Sequence, residues 1–263
     1  MKKLTIILGA LIFISFATLQ ARLTVKPFKI EIKTDAGTYY ENSWSLKNSY
    51  DRDIKVAVTA SDLGSYEGNK NFSVEQWLKI SPAELIIPKG QTAKVDYRVE
   101  ISSQMQGSLA AQISFSISPE AGAMLIIKMS APLHVIVRKT EKIDFSVENL
   151  TVSASSDAYK FNFSVNNGGN IIIKPQGEIS VYKRKKLISR ANMAAPSMTK
   201  SVFIGNSAAY QISVSTGLKD GKYRAEAKIN AHGYESAKTA SQKIEFKVLN
   251  DGNVEFIKKI DKK

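Results

Sequence analysis

Ala93-Lys94-Val95-Asp96-Tyr97-Arg98-Val99 decides the fold class of this chain. Apolar and polar residues alternate with period two, so a strand built from them turns one side to a core and the other to water. The Pro88-Lys89-Gly90 turn signal stands just before it. Proline presets φ for a turn and glycine supplies the conformations other residues avoid. The same alternation recurs outward in both directions, at Ile54-Lys55-Val56-Ala57-Val58, Ile113-Ser114-Phe115-Ser116-Ile117, Phe161-Asn162-Phe163-Ser164-Val165 and Ile244-Glu245-Phe246-Lys247-Val248. Further turn signals separate these segments, among them Asn167-Gly168-Gly169-Asn170 and Lys219-Asp220-Gly221-Lys222. Helical signal is thin: Val74 to Lys79 has room for one turn.

About seven such segments fall on each side of a charged joint, Arg138 to Lys142. The expected fold is therefore all-β, two tandem immunoglobulin-like β-sandwiches. With 43% hydrophobic and 9% aromatic residues in 263, the chain can bury such cores. It has no cysteine, so neither sandwich carries an inter-sheet disulfide, and Trp44 or Trp77 is left to fill a core. The same absence removes thiolate metal sites, iron-sulfur clusters and cysteine nucleophiles.

The first residues read as an export signal. Lys2 and Lys3 precede an apolar run, Leu4 to Phe16, and small residues follow to Ala21. That run is shorter than the roughly 20 residues that cross a bilayer; an uncleaved anchor is the competing reading. The expected division is a signal peptide over 1–21, an N-terminal immunoglobulin-like domain over 22–138, a C-terminal one over 139–250, and a basic tail over 251–263, read as a frayed end in preference to a partner-binding helix. Loss of two lysines with the signal lowers the formal charge from +13 to +11. An exported chain so basic favours anionic polymers, headgroups or acidic partners. Nucleic acid is not an expected partner, nor is stable membrane insertion. The densest basic run, Lys183-Arg184-Lys185-Lys186, reads as a hairpin turn.

Catalytic patterns do not emerge. His134 and His232 stand far apart in sequence, with no nucleophile motif near either. The glycines of 167–170 fit turn demand and no phosphate loop. The expectation is a binding protein and not an enzyme, with no catalytic residue, cofactor or metal.

One stretch departs from half-wet strands: Ala123-Met124-Leu125-Ile126-Ile127-Lys128-Met129-Ser130-Ala131-Pro132-Leu133-His134-Val135-Ile136-Val137 is apolar on both faces. Leu125, Ile127 and Met129 share one face, Met124 and Ile126 the other. Two readings stand. An edge strand of this kind offers backbone groups and an apolar row to an incoming chain; a core strand of this kind is covered by the second domain.

The first domain resembles the periplasmic chaperones of pilus and fimbria assembly. The likeness lies in Leu23-Thr24-Val25, Leu46-Lys47-Asn48, Trp77-Leu78-Lys79-Ile80-Ser81-Pro82, then Ile87-Pro88-Lys89-Gly90-Gln91 with Val95 and Tyr97, and the strand ending Val135-Ile136-Val137-Arg138. The resemblance implies that Leu125, Ile127 and Met129 donate side chains to a subunit lacking its last strand. It also implies a cleft holding the subunit's terminal carboxylate. That anchor falls at Lys29 and His134, where the family has Arg and Lys, with Lys33 and Arg138 as substitutes. A histidine of ordinary pKa near 6.5 anchors a carboxylate poorly at neutral pH. The second domain looks more like generic bacterial immunoglobulin-like modules.

Two functions are therefore expected. One is a periplasmic, ATP-independent chaperone binding an exported β-rich, pilin-like subunit by strand addition, with an outer-membrane assembly platform as a further partner. The alternative is a structural or adhesive protein, secreted or held at the cell surface.

Overall fold

The structure, a computed structural model, describes residues 22–63, 73–118, 126–193, 200–215, 217–233 and 236–260. The expected signal peptide, 1–21, lies outside the described residues, as do Met124 and Leu125.

The first half carries β1 (Leu23–Lys26), β2 (Ile30–Thr34), β3 (Tyr39–Asn48), β4 (Ile54–Asp62), one helical turn α1 (Val74–Trp77), β5 (Leu78–Ser81), β6 (Glu84–Ile87), β7 (Thr92–Glu100), β8 (Gly107–Ile117) and β9 (Ile127–Val137). They form two sheets, β1-β3-β7-β5 and β2-β9-β8-β4-β6. The opening segment serves both. It pairs with β3 as β1, breaks at Pro27, which has no N–H to pair, and joins β9 in parallel as β2. The alternation of 93–99 is met residue for residue: Val95, Tyr97 and Val99 are buried and Lys94, Asp96 and Arg98 exposed. Between the sheets lie Trp44, Leu46, Phe115 and Trp77, with Trp44 against Tyr97 at 4.3 Å and edge-on to Phe115 at 5.6 Å.

The second half carries β10 (Phe145–Ala154), β11 (Ala158–Asn167), β12 (Gln176–Lys183), β13 (Lys186–Asn192), β14 (Ser207–Ser215), β15 (Gly221–His232), β16 (Ala237–Val248) and β17 (Val254–Ile260). Their sheets are β10-β11-β14 and β13-β12-β15-β16-β17. Phe161, Phe246, Ile173 and Leu150 fill a separate core. Two tandem immunoglobulin-like sandwiches are thus the architecture. Lys183 pairs with Lys186, so the basic run is a hairpin turn, with Arg184 at φ 56°. The tail differs from expectation: Val254–Ile260 is neither frayed nor helical but a strand antiparallel to β16. Its short, lysine-interrupted pattern carries little periodic signal of its own, and pairing with β16 decides its conformation.

Each sandwich repeats one device. Asn48, the last residue of β3, is fully buried; it donates to the carbonyls of Arg52 and Ile87 at 2.8 and 2.9 Å and accepts from the Tyr50 N–H at 2.8 Å. Asn167, the last residue of β11, donates to the carbonyls of Ile171 and Val202 at 2.8 and 3.0 Å and accepts from the Gly169 N–H at 3.0 Å. A buried amide with its partners in place satisfies loop backbone that water cannot reach.

Candidate binding site

β9 runs against β8 along its whole length, from Ile127 opposite Ile117 to Val137 opposite Gly107. On its other side β2 covers only Leu133–Val137. Among the described residues no strand pairs with that side over Ile127–Pro132, so half of β9 is a sheet edge. Its core-facing row, Val137, Val135, Leu133 and Ala131, is buried; Met129 is half-buried against the same core, and Ile127 at the end is 41% exposed. Two of the three expected donor residues therefore lie on one row that begins inside the sandwich and runs out of it. Leu125, the third, falls outside the described residues.

The other face of β9 is more polar than the sequence pattern suggests. Lys128 is exposed, and Ser130, Pro132 and His134 are half-buried. Only Ile136, beside the second domain, is buried there.

That face carries the anchor candidates. His134 stands opposite Glu31 of β2 and Ala110 of β8; Lys33 shares the outer row of β2 with Glu31, and Lys29 sits in the bend just before the strand, within reach of Glu31. Lys29 and His134 are thus brought together. Lys29 is exposed and pairs with Glu31 at 3.7 Å. Lys33, also exposed, sits one step along the strand, opposite Ile136. Arg138 is past the strand end, its guanidinium closed on both carboxylate oxygens of Asp35 at 3.0 and 2.5 Å. This exposed pair uses two of the guanidinium's five N–H donors.

Sequence reading missed the contribution of the second domain. Asn170 is fixed against the edge of β8: its carbonyl accepts from the Ser108 N–H at 2.9 Å, and its side chain bridges the Thr140 carbonyl and the Lys142 N–H. Gly107 makes this approach possible, at φ +72° and with a Cβ position 1.9 Å from the Asn170 carbonyl oxygen. Two residues on, the Ile172 N–H donates to the Ser108 hydroxyl at 3.0 Å. Lys174 follows, near enough that its charge acts on His134. Burial, then Lys29, then Lys174 push the imidazole below its ordinary 6.5, with Glu31 pulling the other way. In sequence this segment is a run of three isoleucines followed by Lys174-Pro175, and its alternation appears only in burial.

No protein-family model matches the sequence, and no curated protein matches it. Solved structures similar to the chain include several periplasmic and fimbrial chaperones. The class 5 fimbriae chaperone CfaA is 13% identical, with a TM-score of 0.46 over 82% of this chain and 97% of that one. The CsuC–CsuE chaperone and tip subunit pre-assembly complex from Acinetobacter baumannii gives 14% identity and 0.43 over 84% and 98%. A PapD-like domain of human CEP192 gives 16% and 0.36 over 44% and 84%.

Proposed function

We propose that this protein is an exported chaperone that holds a β-rich, pilin-like subunit by strand addition along the open half of β9, without ATP and without catalysis. The observation that supports this most is that edge: Ile127–Pro132 has one side unpaired, and its apolar row emerges from the core at Met129 and Ile127. Open apolar edges invite pairing with another chain, and soluble proteins normally blunt them. An incoming strand gains backbone hydrogen bonds from the edge and sheds water from the two side chains. Leu125, Ile127 and Met129 are the donor positions in this reading, and Lys29 and His134 form the floor of the seat for the subunit's terminal carboxylate. The periplasm is the matching location, with an outer-membrane platform as the recipient of the complex.

Affinity capture of the mature chain from its own envelope extract, read by mass spectrometry, tests the proposal. Wild type should retain one small β-rich exported subunit. Ile127→Asp should lose at least about tenfold of it, because an aspartate on the shared row must be desolvated unpaired; Lys29→Glu should lose it as well. Because Ile127 is partly exposed, its replacement should leave thermal unfolding nearly unchanged. Equal capture by both variants would sink the proposal. Retention on polysaccharide or membrane regardless of the substitutions would instead favour a surface structural protein.

A further inference from the structure

We propose that the basic end of the second domain, built on the β12–β13 hairpin, is a contact site for an anionic lipid bilayer. This goes beyond strand addition and does not rest on it. Asn170 ties the second domain to the first at one end, and β12 carries the chain from Gln176 to Lys183 at the other. The hairpin turn Lys183-Arg184-Lys185-Lys186 therefore stands at the end remote from the domain joint.

A second loop joins it there. The Lys183 ammonium donates to the Asp220 carbonyl at 3.1 Å and lies 5.0 Å over the Tyr223 ring, while Tyr223 donates to the Lys219 carbonyl at 2.6 Å. Lys183 thus holds the hairpin alongside the segment that carries Lys219 and Lys222. Arg184, Lys185, Lys186, Lys219 and Lys222 are all exposed, and among the described residues none of them has an ion pair. On the outer face of the same sheet other cations are matched: Arg190 with Glu178 at 3.4 Å, Lys243 with Glu226 at 3.5 Å and Lys258 with Glu245 at 3.6 Å. Lys222 stands directly opposite Lys247, an arrangement that costs stability and is eased only by Glu255 one strand further on. The other acids about this end are Asp220 and, in the loops beyond, Asp157 and Asp251.

The basic turn also carries an apolar step. Leu187 and Ile188 follow the lysines directly and are 41% and 43% exposed. β13 pairs Leu187 with Tyr182 and Ser189 with Val181, so Ile188 is the extra residue of a bulge. Bulges and lysines blunt an edge against strand pairing, which leaves these side chains without a role in strand addition. Aliphatic groups gain little from a polyanion in water, and a convex turn offers no groove to a folded partner. A headgroup layer accepts both parts, the cations among its phosphates and Leu187 and Ile188 at the acyl boundary.

The test is co-sedimentation of the mature chain with vesicles of phosphatidylcholine alone or with about one third phosphatidylglycerol, at about 0.05 M salt. Wild type should bind the anionic vesicles at least about tenfold better than the neutral ones and release them at about 0.5 M salt. The double variant Lys185→Glu, Lys186→Glu should lose at least about tenfold of that binding, and Leu187→Ser about threefold or more. The charge-matched pair Lys47→Glu, Lys94→Glu, exposed on the first domain, should lose far less. Equal binding to both vesicles, or equal loss in the two charge-reversed pairs, overturns the proposal. Undiminished binding by Leu187→Ser overturns it as well, and would point to an acidic protein or polysaccharide as the partner. Subunit capture repeated at about 0.5 M salt removes the bilayer contact, so Ile127→Asp then reports on strand addition alone.

Discussion

Each sandwich has a long strand left half-covered, β9 in the first and β16 in the second. Each is paired along one side, by β8 and by β15. Each is covered on the other side only over its second half: β2 covers Leu133–Val137, and β17 covers Lys243–Val248. Over the first half of β16 the residues are Ala237-Lys238-Thr239-Ala240-Ser241-Gln242, and their polar groups are used. Lys238 pairs with Asp144 at 2.5 Å, Thr239 bonds Asn230, and Gln242 accepts from the Leu150 N–H of β10 at 2.8 Å. Over the first half of β9 the residues are Ile127-Lys128-Met129-Ser130-Ala131-Pro132; Gln112 of the neighbouring β8 donates to the Ser130 hydroxyl at 3.1 Å, and among the described residues no side-chain bond like that of Gln242 reaches this stretch from the facing sheet. Two similarly half-covered strands thus differ in residue chemistry, polar and bonded to the β10 region in one domain and largely apolar in the other.

The comparison can be broken at its common foundation first. Asn48→Ala and Asn167→Ala each leave several buried backbone groups unpaired, and each should cost on the order of 3 kcal/mol in its own sandwich. Urea unfolding separates them: Trp44 and Trp77 both lie in the first core, so fluorescence follows the first sandwich alone, while circular dichroism sums both and shows the second as the transition that fluorescence lacks. Equal loss in both signals for both variants would mean the sandwiches unfold as one unit.

Gly107→Ala attacks the joint between them. Positive φ and the collision with the Asn170 carbonyl together should cost about 2 kcal/mol or swing the second domain away. Small-angle scattering should show the opened pair, and the His134 midpoint should rise as Lys174 departs. Gln242→Ala sharpens the edge contrast, because it strips the Leu150 N–H of its acceptor. It should cost about 1 kcal/mol in the second sandwich, read by hydrogen exchange at Leu150. Smallest is the pH effect. His134 has its folded pKa below the unfolded 6.5 through burial, Lys29 and Lys174, with Glu31 opposing. Its contribution to stability is present in full above pH 6.5 and declines as pH falls through the lowered value, since the unfolded chain takes the proton more readily. Replacing His134 by Gln should flatten that part of the stability profile.

Much of this fold was legible because strand periodicity is a local property. The rows 93–99, 161–165 and 244–248 alternate in sequence and alternate in burial, whereas in 113–117 Ser114 is buried along with its apolar neighbours. The Lys183–Lys186 turn and the single turn of α1 were legible for the same reason. Val254–Ile260 was misread because nothing in seven residues of mixed charge announces a strand until β16 lies beside it. The candidate site was half legible. Its apolar row and His134 stand out in the chain, but Arg138 is engaged by Asp35, more than a hundred residues earlier, and Lys174 reaches the site only through the turn at Asn170.

The sequence by itself determined the strand rows, their turns and the formal charge, because a two-residue period and a turn dipeptide act through neighbours along the chain. Tertiary structure alone decided which half of β9 stays open, that Glu31 and His134 stand side by side, and that Arg138 pairs with Asp35. Those properties depend on pairings and on a domain contact through Gly107 that join residues far apart in sequence.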